Sequence, residues 1–435
     1  MNLFETTLRL KGFPITAAKA RLEEIDQINP ADYETYVKKL RTDIFEYHLR
    51  ENEMYQDFIG EYKITDWNEI PVMHKSDLQK PLADRLSNGF SEKNTYINKT
   101  SGSSGTPFIF AKDKFCHALS WAEFIAAYSE YGIDFRNDLQ ARFYGIPLDR
   151  KGYLSERLKD LLGNRFRFPV FDLSEKKMEY FLKVFRRKKF SYINGYTSSI
   201  VFFAKFLKGK NIVLKNVCPT LKHCIVTSEM LFKEDKILME KSFGVSVINE
   251  YGASELGLIA FTNEEGRFAI NSSSLFIEIL DENDKPIANG KEGKIVITSL
   301  YNKAHPMIRY EIGDMGVLSE KSTFKKPILK KLVGRTNEFA KLPSGKTVPA
   351  LTFYYITKNV IENDGNVKEF TITQKALDVF EITYVSEKIL SELQEELIKK
   401  AFSTYLEENL KVIFKRVLLI KRTKSGKLKQ FTSEI

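Results

Sequence analysis

Between residues 139 and 250 the chain switches repeatedly between two hydrophobic periods, and that alternation restricts its fold more than any other feature. LQARFYGI (Leu139 to Ile146), YIN (Tyr192 to Asn194), KHCIVT (Lys222 to Thr227) and VSVINEY (Val245 to Tyr251) are short runs, each of strand length. Between them lie stretches with helical spacing. Ser174 to Lys188 places Met178, Phe181, Leu182 and Phe185 on one face. Thr197 to Lys208 reads as a helix with Gly209 past its end, and Met230 to Ser242 as another. Strands separated by helices predict a mostly parallel sheet covered by those helices, an α/β fold.

The flanks follow other patterns. Residues 1 to about 60 read as helical. Asn29-Pro30 supplies a cap and first position for a helix from Pro30 to Asn52, with Tyr33, Tyr36, Val37, Leu40, Ile44 and Phe45 on one face. LFIEILDENDKPIANGKEGKIVITSL reads as two strands joined by a turn-rich loop. After Gly334-Arg335 come strands near Lys368–Thr373 and Val379–Val385. A helix from Ser386 to Glu408 is expected to bury Ile389, Leu390, Leu393, Leu397 and Ala401. VIFKRVLLI is the expected last strand, followed by a polar exposed turn, TKSGKLKQF. At 435 residues the chain is too long for one core. The expected division is a large N-terminal domain, residues 1–334, and a small mobile C-terminal α+β domain, residues 335–435, with a hinge near Asn337.

Composition narrows the partners. The chain is 43% hydrophobic and 13% aromatic, which argues for packed cores. Its net charge of +10 suits small anionic ligands such as nucleotides. Basic residues are spread along the chain, and the densest run, FRRKK (Phe185 to Lys189), fits the exposed side of a helix, so nucleic acid is not expected as a partner. Cys116, Cys218 and Cys224 form no CxxC, and burial accounts for them better than zinc does. The N-terminal residues lack a signal-peptide layout and no run reaches the ~20 apolar residues of a membrane span. A cytoplasmic protein without a transmembrane segment is expected; its oligomeric state stays open, a dimer included.

The chemistry is carried by short motifs. TSGSSGTP (Thr100 to Pro107) packs glycines and small hydroxyls into one loop, where backbone N–H groups and hydroxyls can cradle a polyphosphate. It is not a P-loop, because no lysine follows its second glycine. AKLPSGKT, starting at Ala340, has GKT but alanine where the first glycine belongs. Four more stretches follow in order: NEYGASE (Asn249 to Glu255), HPMIRYEIGD (His305 to Asp314), VGRTNEF (Val333 to Phe339) and SGKLK (Ser425 to Lys429). Their order and spacing resemble those of the adenylate-forming (ANL) enzymes, which make acyl-adenylates from a carboxylate and ATP. EIPVMHKSDL (Glu69 to Leu78), INGYTSSI (Ile193 to Ile200) and CIVTSEML (Cys224 to Leu231) are similar to the phenylacetate–CoA ligase branch, in particular its capsule-biosynthesis (CapK-like) relatives. The resemblance covers about residues 60 to 435.

The resemblance implies an adenylate-forming ligase that uses ATP and Mg²⁺ on a small carboxylic acid. It passes the acyl group to CoA, with a carrier-protein thiol or an amine of a sugar precursor as the other acceptors; the alternative is a catalytically silent relative that binds nucleotide. Thr100, Ser101, Gly102, Ser103, Ser104, Gly105 and Thr106 would hold the β- and γ-phosphates. Ser228, Glu229, Glu250, Tyr251, Gly252, Ala253 and Ser254 would line the nucleotide, with Tyr251 near the adenine. Glu255 would bind magnesium, Asp314 the ribose hydroxyls, and Arg335 the nucleotide at the domain joint. Lys427 would be the catalytic lysine. Tyr144, Gly145, Gly195 and Tyr196 would bound the acyl pocket, together with Gly252 and Ala253. The chain departs from the family in three places: Phe108 replaces a lysine, Glu311 a basic residue, and Asn337 an acidic hinge residue.

Overall fold

The computed structural model describes residues 3–61, 64–99, 109–147, 149–263, 265–333, 339–349, 352–357, 366–420 and 431–435. The described chain opens on helices α1 (Leu3–Leu10), α2 (Ile15–Gln27), α3 (Tyr33–Glu51) and α4 (Glu53–Ile59). An antiparallel pair, β1 (Tyr96–Lys99) and β2 (Ile109–Lys112), leads into α5 (Lys114–Ser129). Strand and helix then alternate: β3 (Gln140–Phe143), α6 (Arg150–Leu162), β4 (Arg165–Phe168), α7 (Glu175–Phe185), β5 (Tyr192–Tyr196), α8 (Thr197–Gly209), α9 (Leu214–Val217), β6 (His223–Thr227), α10 (Lys233–Phe243) and β7 (Ser246–Ala253). These five strands pair parallel, in the order β7-β6-β5-β3-β4. The expected α/β architecture is present, and the crossover helices explain it: a strand that returns through a helix re-enters in the same direction.

The same sheet then continues antiparallel. It takes in β8 (Gly257–Thr262), β9 (Phe268–Ile270), β10 (Leu275–Leu280), β11 (Glu292–Ser299), β12 (Tyr310–Leu318) and β13 (Ile328–Val333), and reaches eleven strands in all. Two apolar cores fill the faces. One packs Phe168, Phe181, Phe185 and Phe203 under α7 and α8, and the other packs Met73, Phe110, Ile259 and Tyr310 on the antiparallel side. A separate smaller unit follows, with the pair β14 (Phe339–Lys341) and β15 (Thr347–Pro349), α11 (Thr352–Thr357), β16 (Val367–Ala376), β17 (Val379–Ser386), α12 (Glu392–Tyr405), β18 (Lys411–Arg416) and β19 (Phe431–Ser433). β16 and β17 are antiparallel, and β18 and β19 join them parallel at the two edges. No described helix is long and apolar enough to cross a membrane.

Several elements differ from the sequence reading for local reasons. α3 begins at Tyr33 rather than Pro30, because the Asn29 side chain accepts a hydrogen bond from the Ala31 N–H at 2.9 Å and closes a turn first. Gly209 is the last residue of α8, and the left-handed turn falls on Asn211 (φ 53°) instead. α10 starts at Lys233, after Ser228 has taken a left-handed conformation (φ 71°) at the end of β6. β4 escaped notice because its arginines, Arg165 and Arg167, mask a strand whose Phe168 is fully buried. The basic run Arg186 to Lys189 is exposed just beyond the end of α7.

The largest correction concerns α12. Ile389, Leu393 and Leu397 are 68%, 71% and 41% exposed, and the buried stripe is Ile398, Phe402 and Tyr405. Phe402 packs edge-on to Phe380 with centroids 5.3 Å apart. Aromatic area outweighs the leucine stripe in choosing the face. Leu390 is buried just ahead of the helix, and Ala401 packs partly against the same core. Of VIFKRVLLI only Val412 to Arg416 is strand, in β18. Phe431, expected in an exposed turn, is buried in β19.

Candidate active site

The carboxyl ends of β5, β6 and β7 open on a cavity of about 410 Å³. Ligands of open α/β sheets bind at this end, where loops rather than strands supply the walls. The β7–β8 turn carries Ser254 and Glu255 to the cavity, and Tyr251, Gly252 and Ala253 precede them. A Cβ on Gly252 would come within 2.8 Å of the Gly257 carbonyl oxygen, so a side chain there would force the two strands apart.

β12 brings the EIGD stretch to the same wall. The Tyr251 hydroxyl donates to Asp314 Oδ2 at 2.9 Å, joining two motifs 63 residues apart. Asp314 is only 9% exposed, yet it lines the cavity. The Tyr310 hydroxyl donates to Glu255 Oε1 at 3.0 Å and orients that carboxylate. Magnesium is usually held by one or two carboxylates, with phosphate oxygens and waters completing its shell. Glu255, 4% exposed and on the cavity wall, fits that requirement.

The rest of HPMIRYEIGD fixes this wall in place. Arg309 is buried, with Nε 3.4 Å from Glu278 Oε1, and its guanidinium also donates to the carbonyls of Asn68, Ile70 and Asp284. The Met73 N–H donates to the Arg309 carbonyl and the Glu311 N–H to the Met73 carbonyl, both at 2.9 Å, so EIPVMHKSDL is stitched to the edge of the site. Glu311, anomalous in the sequence, has a partner there: its Oε2 lies 2.9 Å from His74 Nδ1. That hydrogen bond raises the His74 pKa above its ordinary value, against the opposing effect of burial.

Two glutamates are more internally engaged than their motif positions suggested. Glu250 lines the cavity, but its Oε2 accepts from the Tyr128 hydroxyl at 2.6 Å, and burial pushes its carboxyl pKa up. Asn194 Nδ2 donates to the same Tyr128 oxygen at 3.2 Å. Glu229 accepts from the Ser198 N–H at 2.6 Å and from its hydroxyl at 2.9 Å, so it caps the first turn of α8; burial raises its pKa too. Ser228 lies beside it on the cavity wall.

The aromatic wall is formed by Tyr144 and Tyr196, whose centroids are 4.5 Å apart. Gly145 and Gly195 are not among the lining residues. The Gly145 carbonyl accepts from the Arg167 guanidinium at 2.6 Å. A Cβ on Gly195 would lie 2.2 Å from the Phe143 carbonyl oxygen, so this glycine serves the close approach of β3 and β5. Thr100 to Thr106, Arg335, Asn337 and Lys427 lie outside the described residues. Cys116, Cys218 and Cys224 are buried free thiols, and among the described residues no three His, Cys, Asp or Glu side chains group to hold a metal.

Sequence reasoning missed one wall. Lys112 at the end of β2 lines the cavity, as do His117, Ser120, Trp121 and Phe124 of α5. Their i, i+3, i+4, i+7 spacing was the available signal, but a core-facing helix shows the same spacing.

No protein-family model matches the chain. Protein CapK of Staphylococcus aureus is 24% identical over 333 residues, 73% of this chain and 71% of CapK. Indoleacetate–lysine synthetase of Pseudomonas savastanoi is 25% identical over 275 residues, 61% of this chain and 62% of that protein. The fold matches a 2-hydroxyisobutyryl-CoA ligase in an open conformation with 2-HIB-AMP and CoA. The TM-score is 0.55 at 16% identity, over 93% of this chain and 92% of that one. Fold, motif order and these likenesses together make the chain a member of the adenylate-forming superfamily of ligases. Within that superfamily it is CapK-like.

Proposed function

We propose that the protein activates a small carboxylic acid with ATP and transfers the acyl group to a thiol, with CoA as the acceptor. In the first half-reaction a carboxylate oxygen of the acid attacks the α-phosphorus. The bond from the α-phosphorus to the bridging oxygen breaks, and pyrophosphate leaves with that electron pair. In the second, the thiol sulfur attacks the acyl carbonyl carbon, its proton is lost, and the C–O bond to AMP breaks.

One observation carries this reading. Residues from CIVTSEML, NEYGASE and HPMIRYEIGD, scattered through the sequence, converge on one cavity, and the Tyr251–Asp314 hydrogen bond locks two of those motifs together. In the proposed complex Asp314 accepts hydrogen bonds from the ribose hydroxyls, and Tyr251 holds that carboxylate in place. Ser228 and Ser254 offer short hydroxyl donors toward the nucleotide. Tyr144 and Tyr196 flank the acid. Glu255 would hold magnesium, which neutralises phosphate charge when two anions must meet. Thr100 to Thr106 are assigned to the β- and γ-phosphates, Arg335 to the nucleotide, Asn337 to the hinge and Lys427 to the reacting carboxylate and α-phosphate.

An amine is the second acceptor to consider, because one of the relatives is named as a synthetase joining indoleacetate to lysine. A carrier-protein thiol, or an amine on a sugar precursor, would receive the same adenylate. The deciding measurement is pyrophosphate release with ATP and Mg²⁺ across aryl, fatty, hydroxy and amino acids, with and without CoA. Release that depends on one acid, with CoA consumed into a thioester, is the expected outcome. Acid-dependent release that CoA leaves unchanged, and that lysine or an amino sugar accelerates, replaces the thiol with an amine. Silence across the panel with ATP still bound counts against adenylation.

A further inference from the structure

The wall formed by β2 and α5 holds a buried cation for which the reaction above has no use. Lys112 is 3% exposed and lines the cavity. Among the described residues its ammonium makes one hydrogen bond, to Ser120 Oγ at 3.3 Å. That hydroxyl is itself committed, donating to the Cys116 carbonyl at 3.1 Å. Lys112 forms no ion pair with a described carboxylate. Glu123, Glu255 and Asp113 act on it only from longer range, and burial dominates, lowering its pKa. A lysine buried with such sparse compensation keeps its proton at least cost when an anion lies beside it.

The space around the ammonium suits a ligand group. Gly257, in a left-handed conformation (φ 90°), adjoins it, and a Cβ there would sit 3.5 Å from Lys112 Nζ and 3.2 Å from Ser120 Oγ. The glycine leaves that volume empty. His117 lines the same cavity. Trp121 Nε1 donates to His117 Nε2 at 3.3 Å, so the ring proton is on Nδ1. Burial, then the nearby Lys112 charge, push the His117 pKa down to about 3, so the ring is neutral at pH 7. Lys112 also lies too far along β2 to replace the lysine that the phosphate loop lacks. An antiparallel strand rises about 3.4 Å per residue, which puts Lys112 about 10 Å past Ile109, where the strand begins.

We propose that Lys112 determines acyl specificity, and that the acid this enzyme takes carries a second carboxylate, seated against the Lys112 ammonium beside Ser120 and Gly257. This rests on the reading that the cavity holds the acid to be activated. The activated carboxylate meets ATP near Glu255 and Asp314, and the second one is bound as an ion and undergoes no chemistry.

The test is calorimetric binding of matched acids to the full chain with a non-hydrolysable ATP analogue and Mg²⁺. Each pair exchanges one carboxylate for a methyl group: terephthalate against 4-methylbenzoate, and glutarate against pentanoate. The wild type is expected to bind one dicarboxylate at least about tenfold tighter than its methyl partner. Lys112→Met should remove that preference, with the methyl acid and the ATP analogue unchanged within about twofold, and Lys112→Arg should keep part of it. The wild-type comparison stands even where a variant folds poorly. Three results overturn the proposal: no measurable binding of either dicarboxylate, tighter binding of both methyl acids, or a Lys112→Met loss that falls on the ATP analogue. Pyrophosphate release on the same acids is read separately. Selective dicarboxylate binding without release would sink adenylation and keep the Lys112 site. Release with monocarboxylates alone, indifferent to Lys112→Met, would sink the Lys112 site and keep adenylation.

Discussion

At the scale of single residues, the proposed nucleotide site turns on the hydrogen bond between Tyr251 and Asp314. Asp314→Ala removes the acceptor assigned to the ribose and should weaken ATP binding by more than about tenfold, a hydrogen bond to a charged group contributing about 1.5–3 kcal/mol. Tyr251→Phe keeps the ring and deletes only the orienting hydroxyl, so a loss of about fivefold is expected, near 1 kcal/mol. Titration of both variants with a fluorescent ATP analogue checks the order. An Asp314→Ala protein that binds ATP like the wild type would remove the ribose assignment. Tyr251 and Asp314 were legible in the sequence because NEYGASE and HPMIRYEIGD resemble motifs of the adenylate-forming enzymes. Lys112 and His117 were not. A lysine ending a strand and a histidine on an apolar helix face carry no mark of a site until the fold sets them against the same cavity.

At the scale of elements, periodicity located strands and helices but did not choose their partners. α12 offers two stripes, and the sequence reading took the leucine one. If the aromatic stripe is the buried one, Phe402→Ala should cost about 3–5 kcal/mol and Leu393→Ala under about 0.5, read by denaturant unfolding. Equal costs would restore the leucine face. The His74–Glu311 pair joins EIPVMHKSDL to β12, and its contribution depends on pH. A histidine whose folded pKa is raised is stabilising below its unfolded value, near 6.5, and that contribution is lost as pH rises through the folded pKa. The His74 side chain is 47% exposed, so solvent screening keeps the pair to a fraction of a kcal/mol. Glu311→Gln should therefore melt below the wild type at about pH 6 and converge with it by about pH 9. A gap that widens with pH would mean that Glu311 acts through another partner.

For the whole molecule, the sheet explains why alternation was so informative. Its parallel strands are the segment whose connections are helices, and the site lies where those strands end. The antiparallel extension was harder to read: it is built of strands that pair with their chain neighbours, and its one long-range pairing, β9 with β13, joins strands about 60 residues apart. Among the described residues the small unit touches the large one where Phe171 packs against Tyr405, with centroids 5.3 Å apart, and where Ile146 joins the same cluster. Relative motion of domains within one chain is the default unless their interface is large and hydrophobic. Such motion suits a reaction in two steps, since a group on the small unit can serve one step and leave for the next. Lys427, proposed for the adenylation step, is the group to test. A cation placed between two anions in a water-poor site is expected to contribute about 10²–10³ in rate. Lys427→Ala should lower acid-dependent pyrophosphate release by about that factor while the ATP dissociation constant stays put. On a small unit that turns between the two steps, acyl transfer from adenylate supplied preformed should proceed at near the wild-type rate. A variant that loses both steps equally would make Lys427 a binding residue of one fixed arrangement and would argue against the moving domain.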